Sequence, residues 1–147
     1  MARFSVATRS TGAGSSTLPV GSLYNSASNS FRIREVGLFN TTTSAVCVAL
    51  TRLSSRGTVG SGLTEVDLDD RGQVAISTAF DTHTAGTPIA AGDLVRASIG
   101  AAIGAGVVWT FANDTGISCA AGTANGIGIY VPTGTGQILD WYMIWDE

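Results

Sequence analysis

The sequence predicts an all-β domain made of short antiparallel strands. Of the 147 residues, 19 are Gly, 15 are Ser and 18 are Thr, whereas there are three Glu and no Lys, so turn formers are abundant and strong helix formers are scarce. Short runs rich in Val, Ile, Tyr and Trp are bounded by Gly and Pro, as pleated strands are. No apolar period of 3.6 residues is sustained for three turns. About eight to ten strands at this spacing predict a two-sheet β-sandwich of the jelly-roll kind, with an up-and-down barrel as the alternative.

The start of the chain is predicted to be an arm. Residues 4–8 alternate apolar and polar side chains, as a short strand would, and the Gly/Ser/Thr-rich stretch after them is typical of a flexible linker. Residues 18–30 are loop-like with a few apolar anchors. We therefore expect a flexible N-terminal arm and loop at residues 1–30 and a single sandwich domain at residues 31–147.

Two longer strands are predicted next. In residues 31–40, strict alternation puts Arg32, Arg34, Val36 and Leu38 on one face and Phe31, Ile33, Glu35, Gly37 and Phe39 on the other. Residues 45–53 are almost continuously apolar, which predicts a strand at the centre of a sheet or one buried on both faces.

The middle of the chain is predicted to add short strands separated by turns. Residues 63–70 alternate cleanly, with Val66 and Leu68 opposite the acidic side chains. A long connection over residues 81–92 interrupts the further strand-like runs. These runs are residues 73–80, 94–100, 107–112 and 116–122.

The last quarter of the chain predicts a β-hairpin. Residues 126–132 and 137–145 are apolar, aromatic-rich runs joined by a Pro-Thr-Gly-Thr-Gly turn. In the second run, Trp141 and Trp145 share one face with two other large apolar side chains, and the opposite face is also largely apolar. We expect this strand either to be covered by a neighbouring subunit or to lie centrally within the sandwich.

Composition argues against several kinds of partner. The net charge is −3 and all eight positive charges are Arg, so the chain has no general attraction for nucleic acid or an anionic membrane, and we expect neither as a partner. No apolar stretch is long enough to cross a bilayer, and the N-terminus lacks the apolar core of a secretory signal. Cys47 and Cys119 lie in apolar strand-like runs and are expected to be free thiols.

Candidate catalytic residues are few. His83, the only histidine, follows Asp81 at a spacing that would place both on one strand face, but no nucleophile in the right place accompanies them. Residues 116–120 fit the first four positions of a nucleophile elbow and then end in Ala, and the order of Asp81, His83 and Ser118 is wrong for that fold. We therefore expect a protein that is not an enzyme and has no catalytic residues.

Metal and cofactor sites are not predicted either. Asp67, Asp69 and Gly72 match positions of a calcium loop, but Arg71 takes a ligand position and Thr78 stands where a bidentate Glu is needed. One His and two distant Cys do not give a zinc ligand pair at the usual spacing. The sequence therefore predicts no metal and no cofactor.

Several stretches resemble small virion proteins of tailed bacteriophages. They are EVGLFNTTTSAVCVALTRL from residue 35, FDTHTAG from residue 80, GAAIGAGVVWTF from residue 100 and GTANGIGIYVPTGTGQILDWYMIWDE from residue 122. The resemblance covers residues 35–147 and implies a jelly-roll capsid cement, or decoration, protein. Such a protein would be assembled in the host cytoplasm as a homotrimer. It would bind the outer surface of the phage head and clamp neighbouring major capsid proteins together.

Contact residues are not carried over from that resemblance. The flexibility and charge of the N-terminal segment predict a shell-gripping arm, and the last strand predicts a contact with a neighbouring subunit. The expected interface residues are Arg3, Phe4, Arg9, Arg32, Arg34, Trp141 and Trp145. The alternative is a phage tail or receptor-binding component that binds cell-surface carbohydrate through exposed aromatic rings, with Trp109 near Asn113 and Asp114 as the candidate.

Overall fold

The computed structural model describes residues 1–147 as two antiparallel sheets with no helix. The all-β sandwich predicted from the sequence is confirmed, with eleven strands, three of which have only two or three residues. The strands are β1 (Arg3–Arg9), β2 (Gly21–Tyr24), β3 (Phe31–Asn40), β4 (Val46–Leu53), β5 (Val66–Asp67), β6 (Thr78–Phe80), β7 (Ile89–Ile99), β8 (Gly106–Thr110), β9 (Ile117–Cys119), β10 (Gly126–Tyr130) and β11 (Leu139–Asp146).

The strand order places distant parts of the chain side by side. Sheet I has the order β5-β1-β11-β3-β8, with β9 also paired to β3, and sheet II has the order β6-β2-β10-β4-β7. Among the eight main strands the first pairs with the last, the second with the next to last, and so on inward: β1 with β11, β2 with β10, β3 with β8 and β4 with β7. This nested pairing of a chain wound back on itself is the scheme that a jelly roll requires.

One apolar core fills the space between the two sheets. Alternate residues of each strand point inward, because successive side chains of a strand lie on opposite faces. The largest core side chains come from β11, where Trp141 and Trp145 are 2% and 0% exposed, and the Trp145 ring lies 6.0 Å from that of Phe4 on β1. Sheet II contributes branched aliphatic residues, among them Leu50 and Ile127.

The expectation of a flexible arm at residues 1–30 is wrong. β1 lies inside sheet I between β11 and β5, and β2 lies inside sheet II between β10 and β6. Phe4, Val6, Leu23 and Tyr24 are buried. The polar residues between the two strands are also held, since the Asp81 carboxylate accepts hydrogen bonds from the Thr11 N–H. The segment is therefore part of the sandwich domain.

Three further expectations about the strands need correction. The runs at 126–132 and 137–145 are not paired as a hairpin, because β10 belongs to sheet II and β11 to sheet I. In β3 the register against β11 shifts at Arg34, so Val36 and Leu38 face the core together with Ile33 instead of sharing a face with the arginines. The clean alternation at 63–70 yields only the two-residue strand β5.

Candidate interaction surface

The face of sheet I that points away from the core is the candidate functional surface, and we call it the outer face. Its side chains come from the outward positions of β1, β11, β3 and β8, which alternate with the core positions. They are Arg3, Ser5, Ala7 and Arg9 on β1; Asp140, Tyr142, Ile144 and Asp146 on β11; Arg32, Arg34, Glu35, Gly37 and Phe39 on β3; and Val108 and Thr110 on β8.

Two shallow grooves cross the outer face. One has a volume of about 290 Å³ and includes Arg3, Glu35, Phe111 and Ile144 in its lining. The other has a volume of about 350 Å³ and runs over Ala7, Phe39, Asp140 and Tyr142. Neither is enclosed, so the outer face is shaped to meet another surface more than to surround a small molecule.

Aromatic rings lie flat over glycines in the middle of this face. A Cβ placed on Gly37 would overlap the ring of Tyr142, and a Cβ placed on Gly106 would overlap the ring of Phe39. The two glycines therefore let the rings lie against the backbone of the neighbouring strand. The result is a flattened aromatic centre.

A carboxylate on the outer face is fixed by two neighbouring hydroxyl groups. The Tyr142 hydroxyl donates to Glu35 Oε1 at 2.6 Å, and the Thr110 hydroxyl donates to Glu35 Oε2 at 3.0 Å. Burial and the hydrogen bond to Glu35 raise the pKa of Tyr142 to about 12. The hydrogen bond to Glu35 therefore holds the Tyr142 ring in place, and the Tyr142 hydroxyl keeps its proton at neutral pH.

Arginine–aspartate contacts flank the aromatic centre at both ends. At one end Asp146, which is 5% exposed, accepts hydrogen bonds from Arg3 and from Arg34. Burial alone would raise the pKa of Asp146, but the two arginines outweigh it and lower that pKa. At the other end Arg9 donates two hydrogen bonds to Asp140 at 2.7 and 2.8 Å, both on the exposed surface.

The predicted interface residues divide into two groups. Arg3, Arg32 and Arg34 come together at one end of the outer face, and Arg9 lies at the other end. Phe4, Trp141 and Trp145 are corrected here, because they are core residues with at most 2% of their surface exposed. The period-2 pattern did place the two tryptophans on one face of β11, but that face is the inner one.

Sequence reasoning missed the two ring-on-glycine contacts. A glycine inside an otherwise good strand, as at Gly37, is the signal that a ring or another backbone approaches closely. Which ring does so follows only from the strand register, since Gly37 pairs with Tyr142 and Gly106 pairs with Phe39.

The residues singled out for catalysis are not arranged for it. The Asp81 carboxylate accepts from the Thr11 and Thr82 N–H groups, and the Nε2 atom of His83 lies 2.8 Å from the hydroxyl of Ser22 instead. Both Ser22 and His83 are buried, at 0% and 2% exposure. This Ser–His contact therefore lies inside the protein, beneath the loop that follows β4.

The calcium-loop match does not gather a set of metal ligands. Asp67, the first residue of the calcium-loop match, accepts backbone N–H groups from residues 69, 71 and 73, and these bonds lower its pKa. Its carboxylate therefore shapes a turn. No group of three or more His, Cys, Asp and Glu residues is placed to hold a metal ion, and Cys47 and Cys119 are free thiols.

Trp109, the aromatic candidate for carbohydrate binding, is not exposed on the surface. Trp109 points inward from β8 and packs partly buried against the core, and none of the three Trp or three Tyr residues is among the exposed side chains.

The structure has no helix that could span a membrane. Comparisons with protein-family models, with curated proteins and with solved structures give no match to this chain.

Proposed function

We propose that this chain is a non-enzymatic structural protein of a tailed-phage virion, a cement or decoration protein that binds the outer surface of the head. The observation that carries the proposal is the outer face of sheet I, a broad and shallow surface with a flattened aromatic centre and arginine–aspartate contacts at its ends. The resemblance of residues 35–147 to small virion proteins supplies the kind of particle. The partner is then the major capsid protein.

The chemistry of the outer face suits a protein partner. Tyr, Phe and Arg are enriched at protein–protein interfaces. Tyr142 and Phe39 are already held flat by the sheet, so little side-chain freedom is lost on binding. The side chains of Arg3 and Arg9 are 46% and 65% exposed and keep free guanidinium N–H groups for acceptors on the shell.

Weak binding at each site is enough for such a role. A shell repeats the same binding site many times, and a protein that attaches as a small assembly gains avidity from each further contact. A ligand that binds only the intact shell also stabilises the shell by mass action.

The first test is the number of copies of the chain per purified particle, measured by quantitative mass spectrometry against the most abundant shell subunit. A ratio of the same order as the shell subunit supports a cement protein. A handful of copies moves the protein to the tail or a vertex, which is the alternative function, and no copies at all overturns the virion assignment.

The second test locates the binding surface. Ala7 is exposed in the groove beside Tyr142 and Phe39, so Ala7→Glu places a charge on the outer face without touching the core. We expect this change to weaken binding to isolated heads about tenfold or more, since a charge buried without a partner is costly. Thr43→Glu, on an exposed turn residue between β3 and β4, adds the same charge elsewhere and should bind as the wild type does. Equal binding of both variants would rule out the outer face.

A further inference from the structure

The two edges of sheet I carry most of the exposed apolar side chains. Apart from Met1, the exposed large apolar residues are Val66 (53%), Leu68 (45%), Val74 (86%) and Ile76 (56%) around β5, and Ile103 (72%) and Val108 (46%) around β8. Strand β5 ends the sheet on one side, and β8 with β9 ends it on the other. Exposed apolar residues that cluster in this way are typical of surfaces that become covered.

The edge formed by residues 66–76 is acidic, and we call it the acidic edge. Asp69 and Asp70 are exposed, and neither lies within 4.0 Å of a basic side chain. Arg71 is the single basic residue of the segment. Val74, the most exposed of the apolar residues here, adds an apolar contact beside these charges.

The opposite side of sheet I presents two arginines beside β9, namely Arg32 on β3 and Arg52, which reaches across from β4 of sheet II. We call these two residues and Val108 the basic edge. Arg32 donates to the Ser118 hydroxyl at 3.1 Å, and Arg52 donates to the Ser118 carbonyl at 2.8 Å, both on the exposed surface. All four ion pairs of the chain involve other arginines, so neither of these two has a carboxylate partner. The β8–β9 connection adds one exposed carboxylate, Asp114.

The charged parts of the two edges lie at the same level along the strands. Leu68 on the acidic edge donates its N–H to the Arg3 carbonyl, Arg3 is paired with Asp146, Asp146 with Arg32, and Arg32 with Ser118. One row across sheet I thus runs from one edge to the other. An axis parallel to the strands can then bring the two edges of different copies together with no translation along the strands, which is the condition for a closed ring.

We propose that copies of this chain associate head to tail, with the acidic edge of one copy against the basic edge of the next. The carboxylates of Asp69 and Asp70 then meet Arg32 and Arg52, and Val74 and its apolar neighbours are covered. Because the two edges are different surfaces, the contact is heterologous, and each copy offers one edge of each kind. Self-association leaves the aromatic centre of the outer face, with Tyr142 and Phe39, free for another partner and does not depend on the proposed head-binding function.

Complementary variants test this pairing in the purified protein. Asp69→Asn combined with Asp70→Asn removes the two carboxylates of the acidic edge, and Arg52→Glu disables the basic edge. All three side chains are exposed and Asn tolerates the positive φ of Asp70, so folding should be kept. By sedimentation equilibrium we expect the wild type to be a small oligomer and each variant to be a monomer. An equal mixture of the two variants should form a heterodimer and nothing larger, because it restores a single contact between an intact acidic edge and an intact basic edge.

The other outcomes would overturn the proposal. A monomeric wild type, a variant that still forms the wild-type oligomer, or a mixture that stays monomeric each contradicts head-to-tail pairing of these edges. Thr43→Glu, which lies on neither edge, should keep the wild-type oligomer, and circular dichroism checks that every variant is folded. Ala7→Glu should also keep it, so a failure of self-association and a failure of head binding are distinguishable.

Discussion

Protonation of His83 should destabilise this protein at mildly acidic pH. The imidazole is 2% exposed and packs 5.9 Å from the Tyr24 ring, with Nε2 against Ser22. Nδ1 has no partner with hydrogen-bond geometry, although the backbone of Arg56 lies close enough to favour the charged form slightly. Burial dominates and lowers the pKa of His83 from 6.5 to about 4.

The size of the effect follows from the difference between the folded and unfolded pKa values. As the pH falls below about 6.5, the unfolded chain binds a proton at His83 before the folded chain does, so the free energy of unfolding decreases. The decrease is complete once the pH has passed below the folded value of about 4. A separation of about 2.5 pKa units corresponds to about 3 kcal/mol, with a slope near 1.4 kcal/mol per pH unit inside the window.

Urea unfolding at a series of pH values measures this slope. His83→Gln is the comparison, because a glutamine amide can still hydrogen-bond Ser22 and does not titrate. We expect the variant to lose most of the slope between about pH 6.5 and about pH 4. Asp67, Asp140 and Asp146 have pKa values lowered below 3.8, so their stabilisation is present above that pH and is lost only in more acidic solution. Equal slopes in the two proteins, or a flat wild type, would refute the buried neutral histidine.

Two further contrasts test the structure with matched variants. Asp146→Asn leaves Arg34, whose side chain is 13% exposed, without its carboxylate and should cost about 3 kcal/mol in thermal or urea unfolding, whereas Asp140→Asn breaks the exposed pair with Arg9 and should change stability little. Gly21→Ala places a Cβ in the buried Trp141 ring and should cost about 1–3 kcal/mol, whereas Gly62→Ala meets no atom within 4 Å and should be close to neutral. Similar losses within either pair would contradict the burial or the packing described.

The sequence predicts the positions of the strands better than it predicts which strands pair with each other. The bounds of β3 agree with the expected 31–40, and β4 is buried on both faces as its apolar run predicted. A local pattern carries this information, because burial on one or two faces sets the period of the side chains. The local pattern does not show to which sheet a strand belongs. The Pro-Thr-Gly-Thr-Gly segment between β10 and β11, which predicts a hairpin turn, connects the two sheets instead.

The candidate surface was predicted only in part, for similar reasons. The four arginines named from charge do lie at the ends of the outer face, since charged side chains of a strand point away from the core. The two tryptophans and Phe4 were misassigned, because an apolar strand face gives the same pattern whether a second sheet or a second subunit covers it. The register shift at Arg34 also reverses the facing of β3, and a shift of this kind has no signature in a single sequence.

The winding of the chain links the proposed surfaces to the whole fold. Strand β11, which carries Asp140, Tyr142 and Asp146, is held between β1 and β3, so the first and last segments of the chain jointly build the centre of the outer face. The same pairing sets the spacing between the two edges, because β5 is attached to β1 and β9 to β3. Residues 1–30 are therefore not a flexible linker, because β1 and β2 are integral strands of the two sheets. Loss of β1 would remove Arg3 and Arg9 from the outer face and detach the acidic edge from the sheet, so head binding and self-association would fail together, whereas the single substitutions separate them.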